Sequence, residues 1–470
     1  MKNNRYFFPV VKGSFDAASR SPEAQKHFAG ADKLSADAAL TPSVRQTIIS
    51  RVRYETVNNP LLDGIVQTIA DDTIGTGPRL QLTAMDARAD RDALFRREER
   101  FFRWTEEINL SEKLRLARIT KTRDGEVFLR LVRNPKLQNI VKIDIVLYES
   151  EQIGSDLAAE YTKYDKNGNP KEYDGLIFDK YGNVSSYRFW KNHPGDLGIG
   201  LVAYKTFIVP AAEVIHYAHI MRPGQHRGLS ELASALNVFN DLHRYSNSVL
   251  AAAETAAQIS FLLHTDAMPD AEDSEGQEIR FMDVVELARN AGLALPEGWK
   301  ASQMKAEQPV GSYADFNDAK IAEAARAISM PFAIAKGDSS KSNYASSRQD
   351  HKMYHKKILT ERKRIDRTIL NRLLAIFESI DAIAFPEDYR FPVKVSWFWD
   401  GFEHVDPVKE ANAQAIRLAS HTTTLADECA KDGKDYETVL HQIAAEKKLK
   451  KDLGIAEDPV STKENEEDAE

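Results

Sequence analysis

Apolar positions along the chain change their period several times, and each change marks an element. Asn58-Asn-Pro60 places an Asn cap and a first-turn Pro ahead of Leu61, Ile65 and Ile69, with Leu62 and Val66 on the adjacent strip. That is a helix start followed by a helical stripe, and Gly75-Thr-Gly77-Pro78 ends it. Residues 88–116 predict a second helical stretch, densely charged, with Phe95, Phe101, Phe102, Trp104 and Leu114 as its apolar contacts. The period then shortens. Residues 126–132 and 140–148 are β-branched and partly alternating, and 175–178 and 184–190 follow as further strands. Residues 120–220 therefore predict a mostly β part, with Asn167-Gly168 and Tyr181-Gly-Asn183 as turns.

Residues 229–263 predict the longest helix, with Leu232, Leu236, Phe239, Leu242, Val249 and Leu250 at helical spacing. Its second half is nearly all small side chains, which suits close approach of another helix. Residues 264–311 are acidic and broken by Pro269, Pro296 and Pro309, as an insertion between two helices would be. A second helix spans 313–329, stopped by Met330-Pro331. A Gly/Ser/Asn loop leads to another long helix from Tyr344 to about Ile380. Residues 389–399 predict an aromatic-rich strand, and 408–447 a C-terminal helical segment before an acidic tail.

At 470 residues the chain is long enough for two to four domains. A single cysteine, Cys429, allows no intrachain disulfide and fits a reducing compartment. No secretory signal is expected from the N-terminal sequence, and no apolar run approaches the ~20 residues of a spanning helix. The net charge of −8 argues against a protein that grips duplex DNA tightly, yet leaves room for one that encloses DNA without holding it. Against that total stands one basic segment. Residues 336–367 hold ten Lys or Arg against four acidic residues. At ~100° per residue, Arg348, Lys352, Lys356, Lys363 and Arg367 share one face, opposite Ile358, Ile365, Ile369 and Ile376. Such a face is either a solvated surface or one turned toward phosphate or an acidic neighbour.

Other candidate chemistry is weak. His193, His216, His219 and His226 fit no closed zinc spacing, so no metal is expected. Asp165-Lys-Asn-Gly-Asn169 begins like a calcium loop, but Pro170 and Leu176 stand at its sixth and twelfth positions, so it reads as an Asn-Gly turn. Gly75-Thr-Gly77 follows a helix and lacks the remainder of a phosphate loop. No nucleophilic triad, paired-carboxylate motif or CxxC is identifiable. No catalytic residue and no cofactor are expected.

Two signatures carry a resemblance. Arg222-Pro-Gly-Gln-His-Arg-Gly228 precedes the long helix, and Ser340-Lys-Ser-Asn-Tyr-Ala-Ser-Ser-Arg348 follows the second one. With Gly13-Ser-Phe-Asp-Ala-Ala18, Asn58-Asn59, Gly75-Thr-Gly77, Gly125-Glu-Val-Phe128, His193-Pro-Gly195, Gly337-Asp338, Asp406-Pro407 and Asp435-Tyr-Glu437 in the same order, the chain resembles the lambda-type portal proteins of tailed bacteriophages. Phe28 replaces an expected Trp, and residues 420–424 lack the usual Gly.

That resemblance implies an α+β, predominantly α fold assembling as a ring. Its parts are an arm (1–45), a wing (46–228, completed by 388–404), stem helices (229–263 and 312–330) and a clip (264–311). A tunnel loop (331–345), a long helix behind it (346–387), and a crown with an acidic tail (405–470) complete it. It implies a non-enzymatic dodecamer at one capsid vertex of the virion, assembled in the host cytoplasm. Its partners would be the terminase large subunit, head-completion or adaptor proteins, major capsid and scaffold proteins, and double-stranded DNA passing without sequence readout; no membrane is involved. The residues expected nearest DNA are Lys336, Ser340, Lys341, Asn343, Tyr344, Arg348 and Lys352. The rival readings, ranked after it, are another oligomeric capsid or tail component and a DNA-processing enzyme using the basic helix.

Overall fold

The computed structural model describes residues 21–86, 91–155, 163–164, 166, 168, 170–196, 205–258, 262–265, 299–302, 313–340, 343–402, 407–434 and 436–455. Two short helices, α1 (Pro22–His27) and α2 (Ala36–Ala39), precede the pair α3 (Pro42–Asn58) and α4 (Pro60–Ile74). Asn59 separates that pair and caps α4, its side-chain oxygen accepting from the amides of Leu61 and Leu62. Next come β1 (Arg79–Ala84), α5 (Arg91–Glu107) and α6 (Leu110–Asp124). The stretch expected as one helix over 88–116 is thus two, because Asn109 turns left-handed at φ 56°. Of its predicted apolar contacts, Phe101, Trp104 and Leu114 are buried, whereas Phe95 and Phe102 face outward.

The β part contains β2 (Glu126–Arg133), β3 (Ile143–Tyr148), β4 (Lys163–Tyr164), β5 (Pro170–Tyr173), β6 (Leu176–Phe178), β7 (Val184–Trp190), β8 (Thr206–Pro210) and β9 (Val214–Ala218). They form an antiparallel sheet in the order β3-β2-β9 and an antiparallel meander, β4 through β8. Strand β2 is buried on both faces. Val127, Leu129 and Leu131 pack toward α5, α6 and the later helices, and Phe128 packs against Tyr187 and Phe189 of the meander.

Then follow α7 (Leu236–Gln258), β10 (Leu262–Thr265), β11 (Trp299–Ser302), α8 (Tyr313–Ala327), α9 (Phe332–Lys336), α10 (Tyr344–Ile365), α11 (Asn371–Ala384) and β12 (Val393–Phe398). A π-helical turn at 366–370 joins α10 to α11. Helices α12 (Pro407–Ala419), α13 (Leu425–Lys431) and α14 (Tyr436–Asp452) end the described chain. Strand β12 pairs with β1, so the late aromatic strand returns to the first helical region. The architecture is α+β.

One expectation is corrected by charge. The helix predicted over 229–263 begins at Leu236 and ends at Gln258, and Leu262–Thr265 forms strand β10 instead. Residues 229–231 are instead tied down outside the helix, ahead of a turn over 231–235: the Leu229 amide donates to the His219 carbonyl, and the Ser230 hydroxyl and Glu231 amide donate to the Thr122 carbonyl. Glu231 is anchored by Arg118 at 2.9 Å and Lys121 at 2.9 Å. Lys121 also reaches Glu361 of α10 at 2.7 Å. Lys357 borders this buried group, and burial pushes its ammonium down to about 8 against the pull of Glu231.

The deepest group is Glu126, fully buried at the start of β2. Its carboxylate accepts from Arg227 Nε at 2.8 Å, the Gly228 amide at 2.7 Å and the Ser150 hydroxyl at 2.5 Å, and pairs with His216 Nε2 at 2.8 Å. Arg45 of α3 also reaches it, at 3.5 Å, and binds Asp174 at 2.6 Å. Burial alone would raise the Glu126 carboxyl; the Arg227 charge, helped by His216 and Arg45, instead holds it well below the usual carboxylate range. Residues 34–45, at the end of the expected arm (1–45), are fixed by this region. Tyr173 donates to the Asp37 and Leu40 carbonyls, and Asp37 receives His226 at 2.7 Å.

Removing one member of such a group strands buried charge. Glu126→Gln is expected to destabilise the fold by about 3–5 kcal/mol in urea unfolding, whereas Asp63→Asn on the exposed side of α4 shifts it by no more than about 0.5 kcal/mol. The folded-state pKa of Glu126 lies below its ordinary value of 4.5, so its contribution is complete above that pH and is lost as pH falls through the folded value. Urea midpoints measured from pH 7 down to 3 should therefore decline below about 4.5 in the wild type, and less steeply in Glu126→Gln.

Candidate functional site

The basic segment lies where α8 turns into α10. Helix α8 packs on α7, with Tyr245 stacked on Tyr313 and edge-on to Phe316. Hairpin β10–β11 lies between the two helices in the chain. Ser329, left-handed at φ 55°, and Met330-Pro331 end this helical run and start α9. Gly337 then stops α9 in the left-handed region, and its amide returns to the Ala333 and Ile334 carbonyls. Asn343 caps α10 by accepting from the Ser346 amide at 2.9 Å. The helix is seated by Tyr354 and Ile358, both buried, with the Tyr354 hydroxyl donating to Asp72 at 2.8 Å. Arg362 turns inward to the carbonyls of Thr73, Asp72 and Asp400.

The seven candidate residues separate into distinct positions. Lys336 is held back at the base of the loop, its ammonium 2.8 Å from Asp318 of α8 and 3.1 Å from Asp338. Those two partners raise its pKa. The Ser340 amide donates to Asp338 at 2.9 Å, and this bond together with that of the Ser340 side chain holds the Asp338 carboxyl far below its ordinary range. Lys336, Asp318, Asp338 and Ser340 thus form a clasp joining α8, α9 and the loop. Asp318 carried no signal in the sequence beyond lying on a predicted helix.

Lys341 lies outside the described residues, and of Tyr344 only the backbone is described, as the first residue of α10. Arg348 and Lys352 are exposed on α10, together with Lys356 and Lys363, and Arg367 is exposed on the π-helical turn that follows. Ile358, Ile365 and Ile369 are buried on the opposite side, as the helical spacing predicts, and Ile376 is partly buried.

The four histidines of interest do not converge. His216 serves Glu126, His226 serves Asp37, and His219 Nδ1 meets the Leu229 carbonyl at 2.8 Å. His193 lies near Glu149 and Glu151, which could offer metal ligands, but both carboxylates pair with Arg53, at 3.3 and 2.8 Å. Gly75-Thr-Gly77 is a helix end: Gly75 has φ 56°, and Thr76 donates its hydroxyl to Asp400 at 2.8 Å. No helix among the described residues is long and apolar enough to cross a membrane.

The family model "Phage portal protein, lambda family" matches residues 24–362, so the chain belongs to the lambda family of phage portal proteins. A curated relative, the probable portal protein of Halomonas phage phiHAP-1, is 23% identical over 438 residues, spanning 87% of this chain and 82% of the relative. Among solved structures, the neck of an empty GTA particle computed with C6 symmetry matches at TM-score 0.47 and 15% identity, over 82% of this chain and 93% of that one. An HK97 family phage portal protein from Corynebacterium diphtheriae matches at TM-score 0.29 and 13% identity, over 77% and 96%. The chain is accordingly a portal protein, a member of a family of structural components.

The clasp has a direct test. Lys336→Met is expected to quicken amide hydrogen exchange at 337–340 severalfold while leaving the melting temperature nearly unchanged. Unchanged exchange would show that the loop base is held without it.

Proposed function

We propose that the chain assembles into a closed ring of twelve subunits at one capsid vertex. Double-stranded DNA would pass through its axial channel during packaging and ejection. The observation that carries this reading is the family match over 24–362. The layout of α7, hairpin β10–β11 and α8 supports it: a helix pair with a hairpin at its far end suits a stem carrying a clip. The second half of α7 is poor in contacts within its own chain, with Ala251, Ala252 and Leu250 exposed, as a helix packed against a neighbouring subunit would be.

In this reading, residues 46–228 with 388–404 are the wing, 331–345 the tunnel loop and 405–470 the crown and tail. The clip meets the terminase large subunit during packaging and head-completion proteins afterwards, while capsid and scaffold proteins surround the ring. The particle forms in the host cytoplasm and remains in the virion. Contacts to DNA are few and to phosphate only, which carries no sequence information. Arg348 and Lys352 are the described candidates, joined by Lys341. Lys336 is assigned to the clasp rather than to DNA.

Twelve copies of a 52.9 kDa chain weigh about 635 kDa. Native mass measurement with electron microscopy should find rings near that mass with an open channel. A folded protein that stays monomeric in the presence of scaffold protein would refute the ring. Lys341→Glu combined with Lys352→Glu should lower DNA packaging or retention without altering ring mass; unchanged packaging would remove these residues from the channel.

A further inference from the structure

Two exposed helix faces of this chain are complementary and do not meet within it. On α5, Phe95, Glu99, Phe102 and Glu106 recur at spacings of four, three and four residues. At ~100° per residue they fall within about 60° of arc. Phe95 is 61% and Phe102 56% exposed. The opposite side of α5 already holds it in place: Phe101 and Trp104 pack on Phe377, and Arg100 binds Asp381 at 2.7 Å. Nothing in the subunit's own fold requires two phenylalanines to face outward between two carboxylates.

Helix α10 presents the counterpart. Lys352, Lys356, Leu359 and Lys363 follow the same spacing and cover a similar arc. Leu359 is 52% exposed, and Met353, beside the stripe, is 57% exposed. A surface made only to repel or track phosphate gains nothing from an exposed leucine and methionine among its lysines. An apolar centre with charges around it is how protein interfaces are built. Each stripe spans about 17 Å at 1.5 Å per residue, so the two match in length as well as in sign.

A ring requires a heterologous contact, in which one patch of a subunit meets a different patch of the next. We infer that the acidic aromatic face of α5 docks on the cationic aliphatic face of α10 of a second copy of this chain. Phe95 and Phe102 pack on Leu359 and Met353, while Glu99 and Glu106 pair with Lys356 and Lys363. This inference rests on the ring reading and gives that ring a specific contact. It also divides the basic face of α10, leaving Arg348 and Lys352 for DNA and assigning the next two turns to the neighbouring subunit.

The test is a charge exchange in the full-length chain. Glu99→Lys with Glu106→Lys, and separately Lys356→Glu with Lys363→Glu, should each raise the protomer concentration needed for half-assembly about tenfold or more, because like charges then face each other. All four substitutions together should restore most of the lost assembly, with thermal melts confirming that every variant is folded. Assembly like the wild type in either two-site variant overturns the inference, as does failure of the four-site variant to recover. Normal rings from Lys356→Glu/Lys363→Glu that package DNA poorly would assign this face to DNA instead. If the wild type itself forms no ring, the ring reading falls and this contact with it; if it forms rings that ignore all three variants, only the contact falls.

Discussion

A single carboxylate, Glu126, fixes how the parts of this subunit meet. It sits at the start of β2, without solvent, and its partners come from four separate stretches of chain: Arg45 from α3, Ser150 after β3, His216 from β9, and Arg227 with Gly228 from the link to α7. Burying an ion costs several kcal/mol unless its hydrogen-bonding capacity is met. Only an arrangement that brings all four stretches together meets it here. Two glycines complete the constraint. A Cβ on Gly228 would lie 2.3 Å from the Gly125 carbonyl oxygen, and one on Gly125 would lie 2.3 Å from Leu229. Backbone meets backbone at this crossing, so no other residue fits either place without displacing the chain.

The constraint passes onward to the helices that carry the basic face. Three residues beyond Gly228, Glu231 locks onto Arg118 and Lys121 of α6, and Lys121 bridges to Glu361 of α10. The Tyr217 hydroxyl of β9 donates to the same Glu361. The sheet, the start of the α7 segment and the middle of α10 are therefore tied by one run of buried charges. A buried ionic group adds little net stability over an apolar one, but mispairing it is costly. Under the proposed ring, in which the subunit repeats, fixed relative placement of the sheet and the helices is the more useful property.

Much of this was legible in the sequence where local signals agree with tertiary packing. Asn59 and Pro60 mark α4, Gly75 ends it, and the β-branched runs become β2, β3 and β7. The misses share a physical cause: the deciding partner lies far away in sequence. Leu229 to Ala235 has helical apolar spacing, yet Thr122, Arg118 and Lys121 hold its first residues out of the helix. The sequence marks no element over 79–84, because β12, the strand that pairs with β1, lies over 300 positions later. Phe95 and Phe102 read as core by type, but the buried side of α5 is set by Phe377 and Asp381. The Arg222–Gly228 signature was visible as a motif; that its Arg227 is wholly buried could be known only with Glu126 beside it.

The basic segment shows how charge in a sequence overstates charge on a surface. Of the ten Lys and Arg between 336 and 367, Lys336 is taken by Asp318 and Asp338, Arg362 by three carbonyls, and Lys357 is turned inward to the Ile328 carbonyl. Lys363 and Arg364 face acidic residues of their own helical run, Asp366 and Glu361. Arg348, Lys352 and Lys356 remain as exposed cations on α10, and Arg367 on the π-helical turn that follows it. Four outward cations on this described segment, in a chain of net charge −8, are too few to clamp a duplex by releasing its counterions. For the channel proposed above, a low density of free cations is what a conduit would require, since every strong phosphate contact would have to be broken again for each step of DNA movement.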